Sequence, residues 1–167
     1  MTRAYATFAA LKLAWRIELL PRMWNAASRS LPDYLIIGAQ KGGTTSLYFL
    51  LGRHPQVMRS LYKEVNYFER NYHRGVSWYR AHFPTEWAKR SAKAVTGEAS
   101  PSYLGHREVP SRVRSLLPDC RLITLLRNPV DRMYSSYHHK VRLGHTSLPF
   151  EEWLRRRQKG KNRPILA

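Results

Sequence analysis

Three stretches of the chain hold residue types able to do chemistry. Residues 35–51, LIIGAQKGGTTSLYFLL, pass from an apolar run through a glycine bend into a helix-forming segment. Laid over the phosphate-loop pattern G-x-x-x-x-G-K-[ST], Gly38, Gly43 and Thr45 match, but Thr44 takes the lysine position and Lys41 lies inside the loop. Backbone N–H groups at such a helix start can still bind a phosphate. The lysine that would reach β- and γ-phosphates is missing. So is a magnesium carboxylate, because the strand 121–126 ends in Arg127 where an Asp usually stands. A metal-free phosphate loop and a plain strand-to-helix turn both fit this stretch.

The second stretch, LLRNPVDRMYSSYHHKV over 125–141, follows an apolar run directly. Arg127 stands at the C-terminal end of the expected strand, where open α/β sheets bind ligands. Ser135 lies two helical turns further on and can face the same way. An Arg fork and a hydroxyl make a phosphate clamp, while a helix-start Arg with an ordinary surface Ser is the alternative. The adjacent His138 and His139 would diverge on a helix and read as surface residues. The third stretch, KEVNYFER over 63–70, places Lys63 and Glu64 before an aromatic pair. Its spacing alone reads as a charged edge ahead of an aromatic core strand.

The elements that must position these residues alternate. Strands are expected over 34–38, 94–98 and 121–126. Helices are expected over 44–51, 78–83, 109–118, from Pro129 to about Leu143, and again near the C-terminus, where Glu151 and Glu152 precede Arg155–Arg157 in keeping with the helix dipole. Strand–helix alternation predicts an α/β fold with a parallel sheet. Before it, residues 1–32 read as an amphipathic helix and connector. Phe8, Leu11, Trp15 and Leu19 recur at helical spacing, and Lys12, Arg16 and Glu18 break any membrane span. That helix packs on the domain or lies on a membrane surface; a weak targeting peptide is a further alternative.

Bulk composition sets the partner class. The 167 residues carry a net charge of +18, from 29 Lys+Arg against 11 Asp+Glu, and are 43% hydrophobic. This describes a folded domain with an anionic ligand or partner. Cys120, the single cysteine, excludes an intramolecular disulfide and a cysteine-built metal site. It is compatible with a reducing compartment, so the expected location is the cytoplasm, with peripheral membrane contact through the N-terminal helix as the variant. No nucleic-acid motif accompanies the charge.

In combination, GAQKGGTTSL and RNPVDRMYSSY resemble the 5′-phosphosulfate loop and the 3′-phosphate motif of sulfotransferases that use 3′-phosphoadenosine 5′-phosphosulfate (PAPS). KEVNYFER, GVSWYRAHFP and GEASPSYL follow in family order, and the pattern is most similar to the heparan sulfate branch and its bacterial relatives. The resemblance covers about Asp33 to Trp153 and implies a phosphate-loop-type three-layer α/β/α domain over 33–167, without metal. It implies that Lys41 lies by the bridging oxygen of the phosphosulfate, and that Gly42, Gly43, Thr44, Thr45 and Ser46 supply donors to the 5′-phosphate. Arg127 and Ser135 would hold the 3′-phosphate. Glu64 matches the general base; Lys63 would bind an acidic acceptor or tune that carboxylate, and Glu98 would either face the acceptor or brace the core. The implied activity is transfer of a sulfuryl group to a hydroxyl or amine of a carbohydrate or small molecule.

Two positions depart from the pattern: Asn66 replaces a frequent His, and Ala99 a frequent Lys. Family members continue well past residue 167, so the resemblance also implies a domain incomplete at its C-terminus, marginally stable and poorly active alone. A non-catalytic polyanion-binding domain is the competing reading. A nucleotide or shikimate-type kinase is disfavoured by the shifted lysine and the missing carboxylate.

Overall fold

The computed structural model describes residues 18–159. The expected amphipathic positions Phe8, Leu11 and Trp15, and the end of the basic tail, lie outside the described residues. Helix α1 covers residues 18–24 and exposes Leu20, Met23 and Trp24. Among the described residues no helix is long and apolar enough to cross a membrane.

Four strands form one parallel sheet: β1 (Tyr34–Gly38), β2 (Val57–Arg59), β3 (Val95–Ala99) and β4 (Arg121–Thr124), in the order β2-β3-β1-β4. The helices are α2 (Thr44–Leu51), α3 (Gly75–Arg80), α4 (Glu86–Ser91), α5 (Val109–Leu116), α6 (Pro129–Arg142) and α7 (Phe150–Lys159). The fold is α/β with a central parallel sheet, as the alternation predicts. Three expected strands become four, because β2 joins one edge. Neither β2 nor α4 falls in a stretch with an expected element, and the helix expected at 78–83 lies three residues earlier.

The two-residue side-chain period of β1 divides the core. Leu35 points into a cluster with Val65, Tyr67, Phe68, Tyr79, Phe83, Tyr103 and the α5 residues Val109 and Val113. Tyr34 and Ile36 point the other way, onto Tyr48 of α2 and Ala99. Each face of β1 is therefore covered by helix, as a buried parallel strand requires. The first cluster is largely aromatic: Tyr67 stacks on Tyr79 at 4.2 Å between ring centroids, and Phe68 meets Tyr103 edge-on at 5.7 Å. β4 is an edge strand with Leu122 exposed, and α6 buries none of its residues.

His82 closes the end of this aromatic layer and is 3% exposed. Its Nδ1 donates to the Trp78 carbonyl at 2.9 Å, and burial pulls its pKa down to about 4, against the pull of that bond and of Tyr79. The folded state therefore holds it neutral where an unfolded chain would protonate it. Between pH 6.5 and about 4 the unfolded state binds the extra proton, so stability falls as pH is lowered through that window, by on the order of 3 kcal/mol in full. His82→Gln should flatten this acid-side loss. Chemical unfolding of both proteins at pH 7, 5.5 and 4.5 checks it, and parallel curves would refute it.

Candidate active site

The polar residues collect at the C-terminal edge of the sheet. A cleft of about 410 Å³ opens there between the loop after β1, the segment at 63–64, Pro101 after β3, and the start and inner face of α6. Its lining includes Lys41, Gly43, Thr44, Thr45, Lys63, Glu64, Arg127 and Ser135. Thus the three chemistry-bearing stretches, remote in sequence, share one cavity. A larger cavity of about 460 Å³ lies at the opposite edge of the sheet, beside Asp33 and Arg121, and contains none of them.

The glycine loop is built by the strand that flanks it. The Ala39 amide donates to the Leu125 carbonyl and the Leu125 amide to the Gly38 carbonyl, each at 2.8 Å, carrying the β1–β4 pairing into the loop. The Gly42 amide then turns back onto the Ala39 carbonyl at 2.8 Å. Lys41 and Gly43 both have positive φ, 65° and 100°, a conformation cheap for glycine and costly for lysine. Helix α2 starts at Thr44 with Gly43 at its N-cap and no side chain capping it. Its first amides have no intrahelical acceptor, and Thr44 and Thr45 line the cleft beside Lys41 and Lys63. Here a phosphate fits.

Gly42 takes a different place from the other residues of the loop. Its amide is already spent on Ala39, and it does not line the cleft. Its role is space: a Cβ there would sit 2.7 Å from the Leu125 carbonyl oxygen and 2.8 Å from that of Ala39. Both are backbone atoms and cannot swing aside. Gly42→Ala should cost about 1–3 kcal/mol through overpacking and also distort the loop. Urea unfolding together with phosphate-ligand titration checks this, and an unchanged midpoint with unchanged binding would count against it. Ser46 is exposed one residue beyond the lining set, so the structure does not bring it to the cleft.

Arg127 follows β4, and its Nη1 reaches the Lys41 carbonyl at 3.4 Å. The long bond ties the two phosphate-type motifs together, and among the described residues the guanidinium makes no ion pair. Asn128 caps α6 by accepting from the Val130 amide at 2.9 Å, with Pro129 in the first turn. This fixes the helix so that Ser135 faces the cleft. His139 and Arg142 lie four and seven residues further and face it too. His139, expected at the surface, is partly exposed there and lines the cleft. The signal was present as helical spacing from Ser135. Partial burial lowers its pKa, helped by the positive charges of Lys41 and Arg142 and opposed by Glu64.

Glu64 is half exposed, ion-paired with the neighbouring Lys63, and held in a left-handed conformation with φ 62°. Its carboxylate is the single acidic group on a lining that carries Lys41, Lys63, Arg127 and Arg142. Such a cleft concentrates anions and keeps one proton acceptor among them. Glu98, for which the sequence leaves an acceptor contact and a core brace both open, is fully buried. It takes hydrogen bonds from Tyr79, Tyr103 and Ser100 inside the core and does not reach the cleft. No group of side chains suited to a metal occurs among the described residues.

Comparisons with known proteins agree with this arrangement. Over 116 residues the chain is 40% identical to the bifunctional heparan sulfate N-deacetylase/N-sulfotransferase 4 of Mus musculus, covering 66% of this chain and 13% of that protein. It is 41% identical over 118 residues to the human heparan sulfate glucosamine 3-O-sulfotransferase 6, covering 71% and 33% respectively. It therefore spans a third or less of these relatives. The crystal structure of a sulfotransferase from Alicyclobacillus acidocaldarius superimposes with a TM-score of 0.61 at 31% identity, over 78% of this chain and 58% of that one. A glycine loop and an Arg–Ser helix facing one cleft, with sequence and fold similarity of this extent, leave one assignment: residues 31–161 match the model of the sulfotransferase domain, and the chain belongs to that family.

Proposed function

We propose that the chain binds PAPS in this cleft and transfers its sulfuryl group to a hydroxyl or amine of a carbohydrate or small-molecule acceptor. The observation that carries the reading is the meeting of Lys41, Arg127 with Ser135, and Glu64 on one cavity wall set. The donor, when bound, supplies the sulfuryl group on a phosphate leaving group. Gly43, Thr44 and Thr45 would hold the 5′-phosphate with backbone and hydroxyl donors, and Arg127 and Ser135 the 3′-phosphate. Lys41 would place its ammonium where negative charge grows on the departing phosphate oxygen. Glu64 would take the proton of the attacking hydroxyl or amine as the new S–O or S–N bond forms. Lys63 would steer an acidic acceptor towards that carboxylate.

Calorimetry with 3′,5′-bisphosphoadenosine, AMP and ATP, all without magnesium, tests the binding half. The bisphosphate should bind tightest, because two motifs address two phosphates. Equal affinities, or a need for magnesium, would overturn it. Transfer of radiolabelled sulfate from PAPS to an acceptor panel tests the chemistry. The competing reading, a polyanion-holding domain without turnover, is supported by the net charge of +18. Binding of heparin-like chains with steep salt dependence and no sulfate transfer would favour it.

A further inference from the structure

The most completely bonded ionisable group in the core has no part in the chemistry above. Glu98 is fully buried on the face of β3 beside Leu35. Its Oε1 accepts from Tyr79 Oη at 2.8 Å and from Tyr103 Oη at 3.0 Å, and its Oε2 accepts from Ser100 Oγ at 2.7 Å. The Val65 backbone amide also faces the carboxylate and favours its charged form. Two of these donors are fixed in direction. Tyr103 Oη accepts from the Phe68 amide at 3.3 Å, and Ser100 Oγ accepts from the Asn66 amide at 3.0 Å. Each hydroxyl is left with its own proton to give, and only an acceptor can sit at the centre. Burial pushes the carboxyl pKa up, and the surrounding donors oppose it.

These bonds converge on the segment that presents Glu64. Two amides of this segment are held by the end of β3 and the residue after it: Glu64 N by the Ala99 carbonyl at 3.0 Å, and Asn66 N by Ser100 Oγ at 3.0 Å. Glu64 and Asn66 both have left-handed φ, 62° and 50°. Non-glycine residues hold that conformation only where surrounding contacts over-determine it. Asn66 completes the frame, donating from Nδ2 to the Glu64 carbonyl at 2.9 Å and accepting from Ser102 Oγ at 3.2 Å.

We propose that Glu98 is a positioning residue: through Ser100 Oγ, it locks the left-handed turn over Glu64–Asn66 that aims the Glu64 carboxylate into the cleft. The aiming rests on the reading of Glu64 as base; the locking does not. Asn66, which departs from the family's frequent His, is on this view part of the lock.

Glu98→Gln takes acceptor capacity out of a closed core and puts folding itself at stake, so Ser100→Ala is the deciding variant. It cuts the link to Asn66 while Tyr79 and Tyr103 still bond to Glu98. Tyr79→Phe is the control, removing one hydrogen bond from the same carboxylate on the side remote from Glu64. Amide hydrogen exchange at residues 64–66 should quicken about five- to tenfold in Ser100→Ala and stay near wild type in Tyr79→Phe. Sulfate turnover should fall at least about tenfold in Ser100→Ala with bisphosphate affinity unchanged. Equal exchange in the two variants, or unchanged turnover despite faster exchange, would overturn the proposal. If the unsubstituted protein transfers no sulfate, the assignment of Glu64 falls, and the exchange rates alone decide the lock.

Discussion

Glu64→Gln should lower sulfate turnover by about 10²–10⁴-fold, the usual worth of a positioned general base, while affinity for 3′,5′-bisphosphoadenosine stays nearly the same. Glutamine preserves the length and most hydrogen bonds of the side chain but cannot accept the acceptor's proton. The backbone beneath is held independently of the carboxylate, since the Glu64 amide bonds to Ala99 and its carbonyl to Asn66. The substitution therefore removes a proton acceptor without moving the loop. Half of the side chain is open to solvent and acceptor, as a base in this role requires. Lys41→Ala should also cost turnover, by about 10²–10³-fold, and more than it costs nucleotide affinity. Its charge is needed most as the bridging bond breaks. Steady-state rates over an acceptor series, alongside calorimetry of each variant, separate the two. A fully active Glu64→Gln protein would show that another group, or the acceptor itself, disposes of the proton.

What was legible in the sequence was local. The apolar run at 34–38, the glycines after it and the Asn128–Pro129 helix start each carry their structural reason within a few residues, and β1, α2 and α6 form close to where they were expected. β2 was not legible. It is three residues long and exists because Val57–Arg59 pairs with Val95–Gly97, a contact across nearly forty positions. α4 is six residues long, and its visible signal was the Thr85 hydroxyl that accepts from the Ala88 amide. A helix that short depends more on where the chain is tied than on its own propensity.

The site divides the same way. Lys41, Arg127 and Ser135 sit in motifs, so their types and spacing announced them. Glu98 did not, because a carboxylate in a strand covered on both faces is indistinguishable by pattern from one at a rim. Its fate was set by hydroxyls from Tyr79 and Tyr103, which reach it from separate segments. Gly42 is the converse case: its type reads as loop-forming, and the loop uses both its amide and its lack of a side chain. His139 was within reach, one turn beyond Ser135 on the same face. Reading the adjacent His138 and His139 as a diverging pair obscured that one of the two must face the cleft.

The second large effect concerns Arg127. Among the described residues it makes no ion pair, and its bond to the Lys41 carbonyl is long at 3.4 Å. Its remaining donors face a cleft with one carboxylate against several cations, so a phosphate is the partner that fits them. Loss of a charge-assisted hydrogen bond of this kind costs about 1.5–3 kcal/mol, so Arg127→Ala should weaken 3′,5′-bisphosphoadenosine roughly tenfold to a hundredfold. AMP, which lacks the 3′-phosphate, should be almost unaffected. Arg127→Lys should recover only part of the loss, because a point charge lacks the planar fork. Ser135→Ala should cost less, near the ~0.5–1.5 kcal/mol of a hydrogen bond between ordinary groups. The contrast between the two nucleotides carries the test. A polyanion-holding surface would lose the same modest increment for either ligand, and that increment would shrink with added salt as screening takes over. A clamp on one phosphate loses affinity for the bisphosphate alone. Equal weakening of both would place Arg127 in a general basic surface, and the two-phosphate reading of the cleft would fail with it.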